Sequence, residues 1–192
     1  LCVLYYSAIF PFQRYAPNFL EVTLGIDAES AARLFSCFPI LAMVLTPFLG
    51  ALLDFRGKGA TMLMVGAVIM IACCHLSFAF LLPAFPSKWL ALLLVVTLGV
   101  SFSLVPAALW PSVPKIIDAK ILGSAYCLIF WIQNVGLCLV PLLIGKVLDA
   151  TGGYTVPMII FSSFGVLAFI FSFYLKIEDR RKNYGLEKPN II

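Results

Sequence analysis

The chain of 192 residues is 62% hydrophobic and only 11% charged, whereas about 25% of the residues of a typical soluble domain are charged. This composition argues against a soluble domain. The net charge of +4 is confined largely to stretches between long apolar runs, which argues against a nucleic-acid-binding surface and favours a protein that contacts a lipid bilayer.

Six apolar segments follow one another along the chain, and each is long enough to form a membrane-spanning helix. Backbone groups in lipid must be hydrogen-bonded within their own segment, so these runs are predicted to be helical. The uncharged stretch from Ile121 to Gly145, at ~1.5 Å per residue, is long enough to cross a hydrocarbon core of roughly 30 Å. The predicted spans are about 1–22, 34–53, 60–82, 89–113, 121–148 and 154–175. Residues 1–177 are therefore predicted to form one six-helix bundle, and residues 178–192 a tail.

Lysine and arginine residues are divided unevenly between the two predicted sides of the membrane. Nine of them lie after the second and fourth spans and in the tail, and three lie on the other side. Because such residues are enriched in cytoplasmic loops, the side with nine is predicted to be cytoplasmic, including the tail. The chain starts inside an apolar run without Met or a basic leader, which we interpret as the interior of a longer protein.

An eight-residue pattern, G-x-x-x-D-x-x-G, occurs twice, each time after the second helix of a predicted triplet. Three helices separate the copies, so they should lie on opposite membrane faces, which is typical of a three-plus-three inverted repeat in a carrier. In each copy, the first glycine would allow a close helix approach, the aspartate would accept hydrogen bonds from a helix start, and the last glycine would permit a reversal. The alternative is a pair of ordinary polar loops. The residues assigned to these turns are Gly50, Asp54, Arg56, Gly57, Lys58, Gly145, Asp149 and Gly152.

Aromatic and polar side chains spaced by four residues share one face of the first span, and a similar stripe lies on the fifth. An arginine is costly at mid-membrane, so Arg14 is predicted to face the protein interior or water, and Pro11 and Pro17 should interrupt the helix beside it. A guanidinium in a broken helix is typical of a site for an anionic group such as a carboxylate, with a structural ion pair or snorkelling as alternatives. The candidate substrate-binding residues are Arg14, Tyr6, Phe10, Gln133, Asn134, Tyr126 and Trp110, of which Trp110 could equally be an interfacial anchor or a gate.

Sequence motifs of enzymes and nucleotide-driven pumps are not found. The chain has one histidine, His75, and no phosphate-binding loop, zinc-protease motif or nucleophile elbow. We therefore expect no catalytic residue, metal site or cofactor. His75 is interpreted as a packing residue, with a proton relay as the alternative. No acidic residue is predicted at mid-membrane, which slightly favours facilitated diffusion over proton coupling.

Several of these motifs resemble those of a known transporter family. The stretch Gly50–Lys58 resembles the signature loop of the major facilitator superfamily, although Phe55 occupies its first basic position and Gly59 its last. A closer resemblance is to the C-terminal half of the major facilitator superfamily domain-containing protein 1 family. It is carried by Tyr5-Tyr6, Ile9-Phe10-Pro11-Phe12, Ala108-Leu-Trp-Pro111, Gly123-Ser-Ala-Tyr126 and Gln133-Asn-Val-Gly136.

The resemblance implies an all-α integral membrane fold that forms helices seven to twelve of a twelve-helix carrier. The partner of this half would be the N-terminal six-helix half of the same protein. Animal members are lysosomal carriers that move dipeptides and work with a glycosylated membrane partner, so an accessory membrane subunit and a small anionic or zwitterionic substrate are implied.

The membrane would be lysosomal in an animal and cytoplasmic in a bacterium, and we favour a bacterial relative. The alternatives for function are a carrier of a sugar, an organic anion or a drug, and a non-transporting scaffold or receptor with a carrier fold.

Overall fold

The computed structural model describes residues 1–190, without the side chains of residues 72 and 73. All the regular secondary structure in this part of the chain is helical, and no β-strand occurs in it. Two π-helical segments, Met70–His75 and Ser77–Leu81, continue α3 without a break, and a 3₁₀ turn, Ala119–Ile121, precedes α6. The α-helices are α1 (Cys2–Leu24), α2 (Ala28–Arg56), α3 (Gly59–Ile69), α4 (Leu82–Ala84), α5 (Lys88–Ile116), α6 (Leu122–Thr151) and α7 (Thr155–Lys182).

Four of the helices are long and apolar enough to cross a membrane, namely α2, α5, α6 with its preceding 3₁₀ turn, and α7. Helix α1 is less apolar because it carries Gln13, Arg14, Asn18 and Glu21. Residues 59–84 are divided between α-helical and π-helical segments. The described chain is thus an all-helical, multi-pass membrane protein, while these four helices do not by themselves establish the predicted count of six spans.

The turn between α1 and α2 shows how polar residues end these apolar helices. Gly25 ends α1 in the left-handed conformation, with φ of +61°. The side chain of Asp27 then accepts a hydrogen bond of 2.8 Å from the backbone N–H of Ser30, which caps the start of α2. This hydrogen bond lowers the pKa of Asp27 below its ordinary value. The cap fixes where α2 begins.

Helix α1 lies at the centre of the bundle and packs against α2, α5, α6 and α7. The ring of Phe12 is fully buried there, with Phe35 of α2, Phe78 of the second π-helical segment and Phe161 of α7 around it at centroid distances of 5.3–6.0 Å. Aromatic pairs at such distances contribute about 0.5–1.5 kcal/mol beyond the burial of their area. This cluster therefore fixes the position of α1 among its neighbours.

His75 belongs to this core. Its side chain is 0% exposed and lies between the rings of Phe12 and Phe161, with Nδ1 3.3 Å from the carbonyl oxygen of Met70. The packing role that the sequence favoured for His75 agrees with this position.

Two ends of the bundle can be distinguished by their connections. The end that carries the α2–α3 turn, the α5–α6 connection and the segment Tyr184–Asn190 is called the basic end here, and the other is called the opposite end. The predicted boundary at residue 177 falls inside α7, which continues to Lys182. Lys182 forms a 3.0 Å ion pair with Glu178, four residues earlier, and such pairs stabilise helical backbone.

Candidate functional site

A hollow of about 650 Å³ opens between α1, α5 and α6, and it is called the aromatic hollow here. Its volume lies within the range of roughly 300–1,000 Å³ that is usual for small-molecule sites. Four of the predicted site residues meet there, one from α1, one from α5 and two from α6. The lining residues are Tyr6, Trp110, Tyr126, Phe130 and Gln133.

Hydrogen bonds and ring contacts hold the wall of the aromatic hollow together. The indole N–H of Trp110 donates to the hydroxyl of Tyr6 at 3.0 Å, and the hydroxyl of Tyr126 donates to the backbone carbonyl of Trp110 at 3.2 Å. That carbonyl lacks the usual helical donor, because the residue four positions on is Pro114, which has no N–H. The ring of Trp110 also stacks on Phe130 at 4.8 Å. Pro114 thus leaves the carbonyl of Trp110 available as the acceptor that connects α5 to α6.

A second hollow, of about 340 Å³, lies between α1 and α6 and is called the arginine hollow here. The side chain of Arg14 is exposed to it, and none of the ion pairs among residues 1–190 includes Arg14. An unpaired guanidinium is a strong donor to a carboxylate. The lining residues are Phe10, Pro11, Gln13, Arg14, Leu137 and Pro141.

Prolines also free backbone acceptors on two residues of the arginine hollow. Pro17 lies four residues after Gln13, and Pro141 lies four residues after Leu137, so neither of these carbonyls has a helical N–H donor. Both Gln13 and Leu137 line the hollow. The site therefore combines a cationic side chain with two residues whose carbonyls lack the usual helical donor.

The two hollows adjoin along α1 through Phe10. Its ring stacks on Tyr6 at 5.3 Å, and Phe10 itself lines the arginine hollow. Phe102 of α5 packs edge-on against both rings, at 6.1 Å from Tyr6 and 5.9 Å from Phe10. The predicted site residues did not include Phe102, which stands between Ser101 and Ser103 in α5, or Gln13, which precedes Arg14.

The two adjacent amides of α6 point in different directions. Gln133 is only 8% exposed, lines the aromatic hollow and accepts a hydrogen bond of 3.2 Å from the thiol of Cys2. Asn134 is exposed, and its amide nitrogen donates to the carbonyl of Phe130 in its own helix at 2.8 Å. The structure thus brings Gln133 to the hollow and leaves Asn134 apart from it.

The first G-x-x-x-D-x-x-G turn, Gly50–Gly57, lies at the basic end. Gly57 has φ of +70°, which allows the reversal between α2 and α3. Arg56 and Lys58 are exposed beside it. No helix of the described chain approaches Gly50 closely, because a Cβ added there would meet nothing within 4 Å. The carboxylate of Asp54 accepts from the side chain of Asn190 at 2.6 Å rather than from a helix start.

The second turn, Gly145–Gly152, lies at the opposite end. A Cβ added at Gly145 would lie 3.4 Å from the hydroxyl of Tyr15, so α1 approaches α6 closely there, and Gly152 ends α6 in the left-handed conformation. Asp149 and Gly152 line a hollow of about 510 Å³, beside which the hydroxyl of Tyr154 donates to the side chain of Asn18. The two turns have different surroundings despite their shared pattern.

Comparison with known proteins identifies the family of the chain. The family described as Major Facilitator Superfamily matches residues 1–190. The chain is 34% identical over 186 residues to the lysosomal dipeptide transporter MFSD1 of Danio rerio, an alignment that covers 97% of this chain and 39% of that protein.

Two mammalian relatives give similar values. The lysosomal dipeptide transporter MFSD1 of Bos taurus is 34% identical, and that of Homo sapiens is 32% identical, over 79% of this chain and 31% of each relative. The chain thus spans between 31% and 39% of the length of these relatives. The resemblance seen in the sequence motifs is confirmed. The chain belongs to the major facilitator superfamily, a family of membrane transporters and not of enzymes.

Proposed function

We propose that the chain is one half of an alternating-access carrier that moves a dipeptide or a similar small anionic or zwitterionic molecule. The observation that carries this proposal is the pair of adjoining hollows on α1, one aromatic and one with the unpaired guanidinium of Arg14. The relatives named as dipeptide transporters support this class of substrate.

Each end of a zwitterionic solute has a chemical counterpart in the arginine hollow. A carboxylate would accept hydrogen bonds from Arg14, whose guanidinium can bind both oxygens at once. An ammonium group would donate to the carbonyls of Gln13 and Leu137, which the prolines leave without helical donors. Both ends of the solute would thereby be recognised within one small space.

The aromatic hollow would hold the apolar part of the solute. Tyr6, Trp110, Tyr126 and Phe130 offer ring faces and edges, and Gln133 adds an amide to an otherwise apolar wall. Such a wall accepts side chains of different shape, because dispersion contacts and stacking require little directionality. Phe10, between the hollows, would position the solute relative to Arg14.

We further propose that residues 1–177 form six spans arranged as a three-plus-three inverted repeat, one half of a twelve-helix carrier. The two G-x-x-x-D-x-x-G turns support the repeat, because they follow α2 and α6 at opposite ends of the bundle. The N-terminal six-helix half of the same protein would cover the hollows and alternate their access between the two faces.

The basic end would face the cytoplasm, together with residues 178–192, because it holds most of the lysines and arginines. The membrane would be the inner membrane of a bacterium or the lysosomal membrane of an animal. The lipid bilayer, the other half of the protein and an accessory membrane subunit are the proposed partners.

Exchange of labelled dipeptides by the full-length protein in liposomes tests the proposal, with Arg14→Gln as the main variant. Hydrogen bonds to charged groups contribute about 1.5–3 kcal/mol, so KM for dipeptides should rise by about 10- to 150-fold. C-terminally amidated dipeptides, which lack the carboxylate, should be much less affected by this change. Arg14→Lys keeps the charge and should retain part of the affinity. Arg33→Gln is the matched control, since Arg33 is exposed and pairs with Glu29 on α2.

Different results would favour the other functions. Unchanged exchange of every anionic cargo in Arg14→Gln would remove Arg14 from the site and favour a sugar or another neutral cargo. Failure of the wild-type protein to move any peptide, sugar, organic anion or drug would favour a scaffold or receptor.

A further inference from the structure

The segment Tyr184–Asn190, called the clasp segment here, crosses the α2–α3 turn and is hydrogen-bonded to it through the backbone. The N–H groups of Lys58 and Gly59 donate to the carbonyls of Glu187 and Leu186 at 3.1 and 2.9 Å. The N–H of Asn190 donates to the carbonyl of Asp54 at 2.9 Å. The clasp segment is thus hydrogen-bonded to the end of α2, at Asp54, and to the start of α3, at Lys58 and Gly59.

The carboxylate of Glu187 caps the start of α3. It accepts from the backbone N–H of Thr61 at 2.9 Å and from the hydroxyl of the same residue at 2.7 Å. The N-cap residue of α3, Lys58, makes no side-chain cap of its own, so Glu187 takes over that role from a distant part of the chain. A negative charge is also favoured at the positive end of the helix dipole. Lys176 of α7 lies 3.7 Å from the same carboxylate and donates to the Thr61 hydroxyl at 2.6 Å.

The first G-x-x-x-D-x-x-G turn, Gly50–Gly57, is called the first signature turn here, and two of its residues make room and hydrogen bonds for the clasp segment. Asp54 accepts from the side-chain amide of Asn190 at 2.6 Å. A Cβ at Gly57 would lie 2.5 Å from the carbonyl oxygen of Glu187, so no larger residue fits beneath the clasp segment without displacing its backbone. The pattern G-x-x-x-D-x-x-G therefore serves a contact within this chain in addition to a reversal of direction.

The remaining contacts connect the clasp segment to α5 and α7. Leu186 is 1% exposed, and its backbone N–H donates at 2.9 Å to the carboxylate of Asp179 of α7, which is itself 5% exposed. Lys115 of α5 donates to the carbonyl of Gly185 at 3.0 Å. Loss of the clasp segment would leave the buried carboxylate of Asp179 without this donor, which is costly.

We propose that the first signature turn is a docking site for the clasp segment, and that the docked segment joins the basic ends of α2, α3, α5 and α7 into one unit. That this unit moves as a whole during transport rests on the proposed function. The docking itself rests on the contacts described above and not on the proposed function.

Amide hydrogen exchange of the full-length protein in lipid nanodiscs tests the docking. In the wild type, the hydrogen-bonded amides of the two segments should exchange at least about tenfold more slowly than those of an unstructured peptide, because their exchange requires local opening. These amides are those of Gly57, Lys58, Gly59, Thr61, Leu186, Lys188 and Asn190. Glu187→Ala should raise the exchange rate of both segments together. Lys188→Ala is the matched control, because this neighbouring side chain is exposed, and the rates should stay at their wild-type values.

A second variant separates release of the clasp segment from unfolding of the bundle. Thr61→Val removes the hydroxyl that Glu187 accepts from and keeps the shape of the side chain. A rise in exchange confined to residues 57–61 and 184–190, in either variant, supports the proposal. It is overturned if the wild-type clasp segment exchanges as fast as a free peptide, or if neither variant shows such a confined rise. This readout needs no substrate, so it stands or falls independently of dipeptide transport.

Discussion

The indole N–H of Trp110 donates to the hydroxyl of Tyr6 at 3.0 Å, which joins α5 to α1 at the wall of the aromatic hollow. The rings of Phe10 and Phe102 pack against the same tyrosine. Tyr6 therefore has two separable roles in the hollow, a ring that contacts other rings and a hydroxyl that fixes the orientation of Trp110.

Tyr6→Phe separates these roles, since it removes the hydroxyl and keeps the ring. A neutral hydrogen bond contributes about 0.5–1.5 kcal/mol, so we expect KM for dipeptide exchange to rise by about 2- to 12-fold. Trp110→Phe should have a larger effect, because it also reduces the ring area that stacks on Phe130. The double variant should show coupling of about 0.5–1.5 kcal/mol, because the two side chains share one hydrogen bond.

Trp89→Phe is the control for this cycle, because Trp89 is 81% exposed at the opposite end. Its KM should equal that of the wild type. Strictly additive effects of Tyr6→Phe and Trp110→Phe would show that the hydrogen bond does not matter for transport.

The adjacent amides of α6 give a second test within one turn of helix. Gln133→Ala should raise KM several-fold, because a hydrogen bond at the wall of the aromatic hollow is worth about 1 kcal/mol. Asn134→Ala should leave KM unchanged, since the Asn134 amide is bonded to the carbonyl of Phe130 in its own helix. The KM for dipeptide exchange, measured for both variants, shows which of the two amides faces the solute. Equal effects, or a larger effect at Asn134, would mean that α6 presents a different face to the solute.

The sequence predicted well those features that depend on local spacing. Tyr6, Phe10 and Arg14 are four residues apart, and this fixes them on one face of α1 wherever the helix lies. The same spacing of four residues predicted that Asn134 lies on the face of α6 that carries Phe130. Packing instead rotates α6 so that Gln133, one position earlier, faces the aromatic hollow. Rotation of a helix about its axis depends on its neighbours, so spacing alone did not determine it.

Features that depend on contacts between distant parts of the chain were not predictable from periodicity. The charged stretch 178–192 was interpreted as a tail, since nothing local indicates that Glu187 would cap α3. A close helix approach was expected at Gly50, which has open space beside it. Within α6 the tightest glycine contact with another helix is at Gly136, beside Val3 and Ser7 of α1, and Gly145 lies near Tyr15 of the same helix.

Gly136 provides a test of the contact between α1 and α6, on which both hollows depend. A Cβ there would overlap Val3 and would lie 2.7 Å from the hydroxyl of Ser7, so Gly136→Ala requires these side chains or the two helices to move. Overpacking of this kind typically costs about 1–3 kcal/mol, and we expect a lower thermal unfolding midpoint of the full-length protein in detergent, together with slower dipeptide exchange. Gly123→Ala is the matched control in the same helix, because a Cβ there meets nothing within 4 Å, and it should leave both measurements unchanged or slightly raise the midpoint. If Gly136→Ala is as stable and as active as Gly123→Ala, then α1 and α6 are not in close contact at this position, and the proposed solute site between them would have a different shape.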